Sequence, residues 1–118
     1  MTPYERRTDA ETVGGVLAAL ADPMRRQLLE ILAAQGEVSA TTLATWLPIS
    51  RQAVVKHLAV LDSAGLVSSS RVGREVRYMV RSAALDATAR WMASLATAWD
   101  RQLADIKRLA EDAERDSL

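Results

Sequence analysis

Arg51, Gln52, Val55 and Lys56 lie within two turns of one stretch and could read the edges of nucleic-acid bases. Arginine and lysine donate to guanine O6 and N7, glutamine pairs with adenine N6 and N7, and valine meets a thymine methyl. At helical spacing the four fall opposite Val54, Leu58 and Leu61, so one face is apolar and the other carries the donors. Any one of them alone would be an ordinary solvated residue. Downstream, Arg71, Arg74 and Arg77 gather three guanidiniums in a short segment, suited to phosphate or minor-groove contact. Upstream, Ser39, Thr41 and Thr42 open a short helix whose hydroxyls or first amides could reach a phosphate, although capping alone accounts for Ser39.

Other chemistries lack their materials. Without cysteine there is no disulfide, thiolate zinc site or thiol nucleophile. The single histidine, His57, has no serine or carboxylate at a fixed spacing, so it packs at a helix edge or donates to phosphate. Glycine-rich phosphate loops, paired carboxylates and nucleophile elbows are missing from the chain, which predicts neither enzyme nor cofactor.

The net charge of zero conceals an asymmetry. Residues 50 to 81 carry +4, whereas residues 1 to 49 and 82 to 118 carry −2 each. A chain with one surface for phosphate needs this distribution.

The elements that must position these residues follow from periodicity and caps. Val13, Val16, Leu17 and Leu20 share one helical face, and that helix ends near Ala21. Asp22 caps a second helix with Pro23 at its first position, Leu28, Leu29, Ile31 and Leu32 inward, and Gly36 as its stop. Ser39 caps a third helix carrying Leu43, Ala44 and Leu47, which Pro48 closes, and Ser50 caps a fourth two residues later. Only a tight turn fits between them, so the pair is a helix-turn-helix. From Leu66 the period becomes two, predicting strands over Leu66 to Arg71 and Glu75 to Val80 around Val72-Gly73-Arg74. A hairpin in this place is a wing. Ser82 then begins a last helix of about thirty residues.

That last helix has a seven-residue apolar repeat, Leu85, Met92, Trp99, Ile106 and Ala113 alternating with Ala89, Ala96, Leu103 and Ala110. The pattern predicts packing along another helix and so a homodimer, with Leu85, Met92, Ala96, Trp99, Leu103 and Ile106 at the interface. Trp91, Trp99 and Met92 could alternatively line a pocket for an aromatic inducer, though such stripes are more often interface. The apolar run Val13 to Ala21 follows Glu5, Asp9 and Glu11 as well as Arg6 and Arg7, which fits neither a signal segment nor a membrane span. A cytoplasmic chain with no membrane partner is expected.

The fold class is therefore mainly α with a small β-hairpin: a winged helix-turn-helix of five helices plus a two-stranded wing, a single domain over residues 1 to 118. The residues from Leu20 to Arg26 with Leu28 to Leu32, from Ser50 to Leu58 with Leu61, Ala64-Gly65-Leu66-Val67, Gly73-Arg74 and Tyr78 together resemble the ArsR/SmtB family of winged-helix bacterial repressors. Trp91 and Trp99 on the closing helix further resemble a metal-free branch of it.

The resemblance implies a homodimeric repressor bound to double-stranded DNA at a near-palindromic operator, with dimer contacts from the first helix, Val16 and Leu17, as well as the last. It also implies a structural or phosphate-contacting role for Arg26. The family's metal sensors use a cysteine pair near the third helix or Asp, His and Glu ligands on the last. Here Ser39 to Leu47 has no cysteine, and the last helix has Asp86, Asp100 and Asp105 without histidine, so no metal-responsive site of either kind is expected. Val55 stands where the family commonly has a small hydroxyl residue. Two other readings remain: a repressor answering a small organic ligand near the dimer helices, and a winged-helix module for protein contact. The arginine-rich wing favours DNA over the latter.

Overall fold

The computed structural model describes residues 9–117, so Glu5, Arg6 and Arg7 of the signal-segment argument lie outside the described residues. The elements run α1 (Asp9–Leu20), α2 (Pro23–Gln35), β1 (Val38–Ser39), α3 (Ala40–Trp46), α4 (Arg51–Ser63), β2 (Val67–Val72), β3 (Glu75–Val80) and α5 (Ala83–Asp116). Five helices and the hairpin match the sequence reading, with ends shifted by a residue or two. The described chain divides into two compact units, the boundary falling between Thr88 and Ala89.

The first unit is built on caps and a leucine-rich core. Asp22 accepts from the backbone N–H groups of Met24 at 2.8 Å and Arg25 at 3.2 Å, starting α2. Ser39 accepts from Thr42 N and Ser50 from Ala53 N, each at 3.1 Å, starting α3 and α4. Leu47 is extended, as a residue before proline must be, and this ends α3. Gly36, with φ of 89°, ends α2 and donates its N–H to Leu32 O at 2.8 Å. The completely enclosed side chains are Leu28 and Leu32 of α2, Leu43 of α3, Val54, Leu58 and Leu61 of α4, and Leu66 and Val67 leading into the wing, with Val16 of α1. Those on α1, α2 and α4 fall on the apolar helix faces that the sequence period selects, so packing and pattern agree there.

Arg25 and Arg26 have a structural role. The α1 helix has no basic residue in its last turn. Instead Arg25 Nε donates to Ala19 O at 2.6 Å and Nη2 to Ala18 O at 3.2 Å, while Arg26 Nη1 donates to Leu20 O at 2.5 Å. Two guanidiniums from the next helix thus satisfy the carbonyls at the C-terminus of α1, the negative end of its dipole.

The sheet corrects the expectation of a two-stranded wing. It has three strands in the order β1-β3-β2, all antiparallel, with Val38 opposite Tyr78 and Ser39 opposite Arg77. Two residues are too few to show an alternating period, which is why β1 is invisible in the sequence. The hairpin is also tighter than expected. Val72 pairs with Glu75, leaving only Gly73 and Arg74 in the turn, with Gly73 at φ of 64°. Two-residue turns with glycine first suit the strand twist, and side-chain-bearing residues rarely adopt that φ.

A second correction concerns Val16. Expected at a dimer interface, it is 0% exposed in the core of its own chain and has no surface to offer a partner. Its neighbour Leu17 is exposed.

The second unit is the remainder of α5, polar on one side and apolar on the other. Met92, Trp99, Leu103 and Ile106 are all exposed within the single chain, Trp99 by 60% and Leu103 by 64%, and Ala96 is exposed as well. Leu85, in the first unit, is exposed too. Trp91, Leu95 and Leu109 add to the stripe, giving it a width of about 140° at 100° per residue, broader than a two-position seam.

Candidate nucleic-acid interface

The segments picked out by residue type meet at one place. A cleft of about 370 Å³ is lined by Ser39, Ala40 and Thr41 at the start of α3, Arg51 and Val55 of α4, and Arg71, Arg74, Glu75, Val76 and Tyr78 of the wing. The turn between α3 and α4 sets the first two against each other, and Arg51 Nε donates to Thr41 Oγ1 at 3.1 Å. That bond uses the Nε–H of Arg51 and does not engage its Nη donors. Wing geometry supplies the other wall. Arg71 lies opposite Val76 and Ser69 opposite Tyr78, so these side chains share one face of the hairpin. Gln52 and Lys56 are exposed on the outer face of α4 beside this cleft, and Val55 is half-buried against the core.

Other expected contacts are placed elsewhere. Ser39 is buried, and its hydroxyl both caps α3 and donates to Thr42 Oγ1 at 3.0 Å. It is committed to the fold and is not a free phosphate donor. Thr42 is half-buried as the recipient of that bond, leaving Thr41 as the exposed hydroxyl of the pair. Ser50 serves as the α4 cap. His57 lies about 200° around the α4 axis from Val55, on the opposite flank. There it acts on the Asp22 carboxylate at the α1–α2 junction. Burial pushes that carboxyl up, but the N–H donors of Arg25 and Met24 and the charges of His57 and Arg25 outweigh it and hold Asp22 below its ordinary value.

Arg77 also departs from expectation. It falls on the other face of the wing from Val76 and Tyr78, where its Nε donates to Glu75 Oε2 at 3.0 Å. A second cleft of about 290 Å³ lies on that side, lined by Gln35, Glu37, Val38, Ser39, Thr42, Trp46, Glu75 and Arg77. Nothing in the sequence signals Glu75 and Val76 as cleft residues, because their placement depends on the register of the hairpin.

Comparison with known proteins bears on the whole arrangement. A helix-turn-helix domain model matches residues 20–69, from the end of α1 into β2. The Transcriptional repressor SdpR of Bacillus subtilis is 29% identical over 77% of this chain and 100% of its own length. A solved ArsR-like transcriptional regulator from Rhodococcus sp. RHA1 is 46% identical, with a TM-score of 0.76 over 84% of this chain and 92% of that one. The chain belongs to the ArsR family of transcriptional regulators. Another solved member-like structure, a homodimeric winged helix-turn-helix DNA-binding domain from Mycobacterium bovis, is 32% identical with a TM-score of 0.58 over 80% of this chain and 83% of that one.

Within this ArsR-family chain, α3 and α4 are the helix-turn-helix and β2-β3 the wing. Among the described residues no group of three or more His, Cys, Asp or Glu side chains could hold a metal ion. No helix among them is long and apolar enough to cross a membrane.

Proposed function

We propose that this ArsR-family regulator is a repressor that binds a near-palindromic operator as a homodimer. In this reading Arg51, Gln52, Val55 and Lys56 face the major groove, Thr41 and Arg71 contact the sugar-phosphate backbone, and Arg74 at the wing tip meets phosphate or the minor groove. The observation that carries it is the convergence of Arg51 of α4 with Arg71 and Arg74 of the wing on one cleft beside the exposed face of α4. Like charges gather on a protein surface at an energetic cost, which a polyanion offsets. The homodimer rests on the exposed apolar stripe of α5, together with the homodimeric relative from Mycobacterium bovis. A face of that width is shielded in water by a second copy of the same helix, with Leu85, Met92, Ala96, Trp99, Leu103 and Ile106 in the seam, and Leu17 of α1 is a further exposed apolar side chain open to a partner copy. The role is regulatory and not enzymatic.

Selection of bound duplexes from random DNA tests the reading. Two-fold related half-sites with centres about one helical turn apart are expected. Gln52→Ala should then relax the preference at one position per half-site, at a cost of about 1–3 kcal/mol on the preferred sequence. Arg74→Ala should weaken every sequence and lower the slope of log affinity against log salt by about one per protomer. No enrichment over the starting pool would overturn the proposal and leave protein contact as the use of the wing.

A further inference from the structure

The geometry points to an indirect part for Arg77 in nucleic-acid binding: it draws the Glu75 carboxylate toward the far face of the wing, so that the three guanidiniums of the cleft face the nucleic acid with less opposing charge. The inference rests on the DNA-binding reading above and deepens it.

Glu75 is the acidic group among the residues lining the cleft that holds Arg51, Arg71 and Arg74. It follows the turn directly and borders both clefts of the wing, whereas Arg77 borders only the one on the far side. Being two residues apart on a strand, Glu75 and Arg77 project from the same face, and the bond between Nε and Oε2 at 3.0 Å draws the carboxylate toward that face. Without this bond, a carboxylate next to Arg74 would be an internal rival of phosphate. It could turn to the near side and pair with Arg74 or Arg71, and it would repel the incoming anion. The pair itself does little for the fold. Its side chains are 39% and 52% exposed, and an ion pair so open to water contributes little to stability. Its consequence lies in where the negative charge is kept. Arg77 is thus a positioning residue, acting through Glu75, and Glu75 sets the anion affinity of the cleft.

The sign of each substitution is fixed by this arrangement. Using the full-length protein and a duplex enriched by selection, Glu75→Gln should raise affinity at low salt by about two- to fivefold, since it removes the rival charge. Arg77→Ala should lower affinity by a similar factor while Glu75 is present. In the Glu75→Gln background, Arg77→Ala should have no effect, and the salt slope should stay that of Glu75→Gln alone. Thermal melts of all three variants should match the unmodified protein, which separates the effect from loss of fold. Loss of affinity from Arg77→Ala in both backgrounds, with the salt slope reduced by about one per protomer, would overturn the inference and make Arg77 a direct phosphate contact. So would a Glu75→Gln variant that binds no better than the unmodified protein. Failure of the DNA-binding reading is distinguishable, because the unmodified protein would then bind no duplex at any salt concentration.

Discussion

Replacing Arg25 with alanine should unfasten α1 from the start of α2. The side chain, 18% exposed, donates through Nε and Nη2 to the carbonyls of Ala19 and Ala18 at 2.6 and 3.2 Å. Hydrogen bonds from a charged donor contribute about 1.5–3 kcal/mol, and a cation at a helix C-terminus about 0.3–1 kcal/mol. These terms overlap, since the same carbonyls are the negative end of the dipole, so the expected loss is about 2–3 kcal/mol. For a chain of this size that lowers the melting midpoint by roughly 8–12 °C. Arg26 gives a built-in comparison: its guanidinium makes one exposed bond, to Leu20 O, and Arg26→Ala should cost about 0.5–1 kcal/mol. Lysine at position 25 keeps the charge but not the fork that spans two carbonyls, and should recover less than half of the loss. Equilibrium urea unfolding of the three variants, read by far-ultraviolet circular dichroism, is the assay. If Arg25→Ala unfolded at the unmodified midpoint while reducing the salt slope of DNA binding, the guanidinium would be a phosphate contact and the helix-capping argument would fail.

Further perturbations have equally definite outcomes. Trp99→Ala combined with Leu103→Ala removes two large side chains from the middle of the α5 stripe and should shift sedimentation at micromolar concentration from dimer to monomer. An unmodified protein that is already monomeric there would refute the dimer. Gly14 is exposed within α1 and a methyl group added to it meets nothing within 4 Å, so Gly14→Ala should stabilise by about 0.5–1 kcal/mol in the same urea assay; destabilisation would refute it. Asp22 has a carboxyl held below its ordinary value of 3.8, so its contribution is fully present above that pH and is lost as pH falls through the lower folded-state value. The stability of the unmodified protein should therefore fall more steeply below about pH 4 than that of Asp22→Asn, which still caps but does not titrate, and parallel profiles would refute the assignment.

Much of this was legible in the sequence because local rules and tertiary packing agree. Asp22-Pro23, Ser39 and Ser50 mark helix starts by hydrogen-bonding chemistry that needs no distant partner, and all three caps form. The alternation of Val76, Tyr78 and Val80 identifies β3, and Gly73 its turn. What the sequence hides is set by long-range geometry. Val16 and Leu17 are adjacent and equally apolar, so period alone does not divide core from surface between them. Arg71 and Arg77 are the same residue type on one hairpin, yet the register puts the first in the cleft and the second across the sheet beside Glu75. Arg25 and Arg26 look like a basic pair for a ligand until the α1 carbonyls are seen within their reach.

The two-residue strand β1 has a mechanical consequence. Val38 and Ser39 are laddered to Tyr78 and Arg77, and the residue after them already begins α3. A displacement of α3 therefore arrives at the base of the wing through backbone hydrogen bonds, with no flexible joint between. Beyond that clamp the hairpin tip behaves as the free end of a beam, magnifying small rotations at its root. A rotation of α3 would therefore carry the root of the wing with it, so the two elements move as a coupled pair.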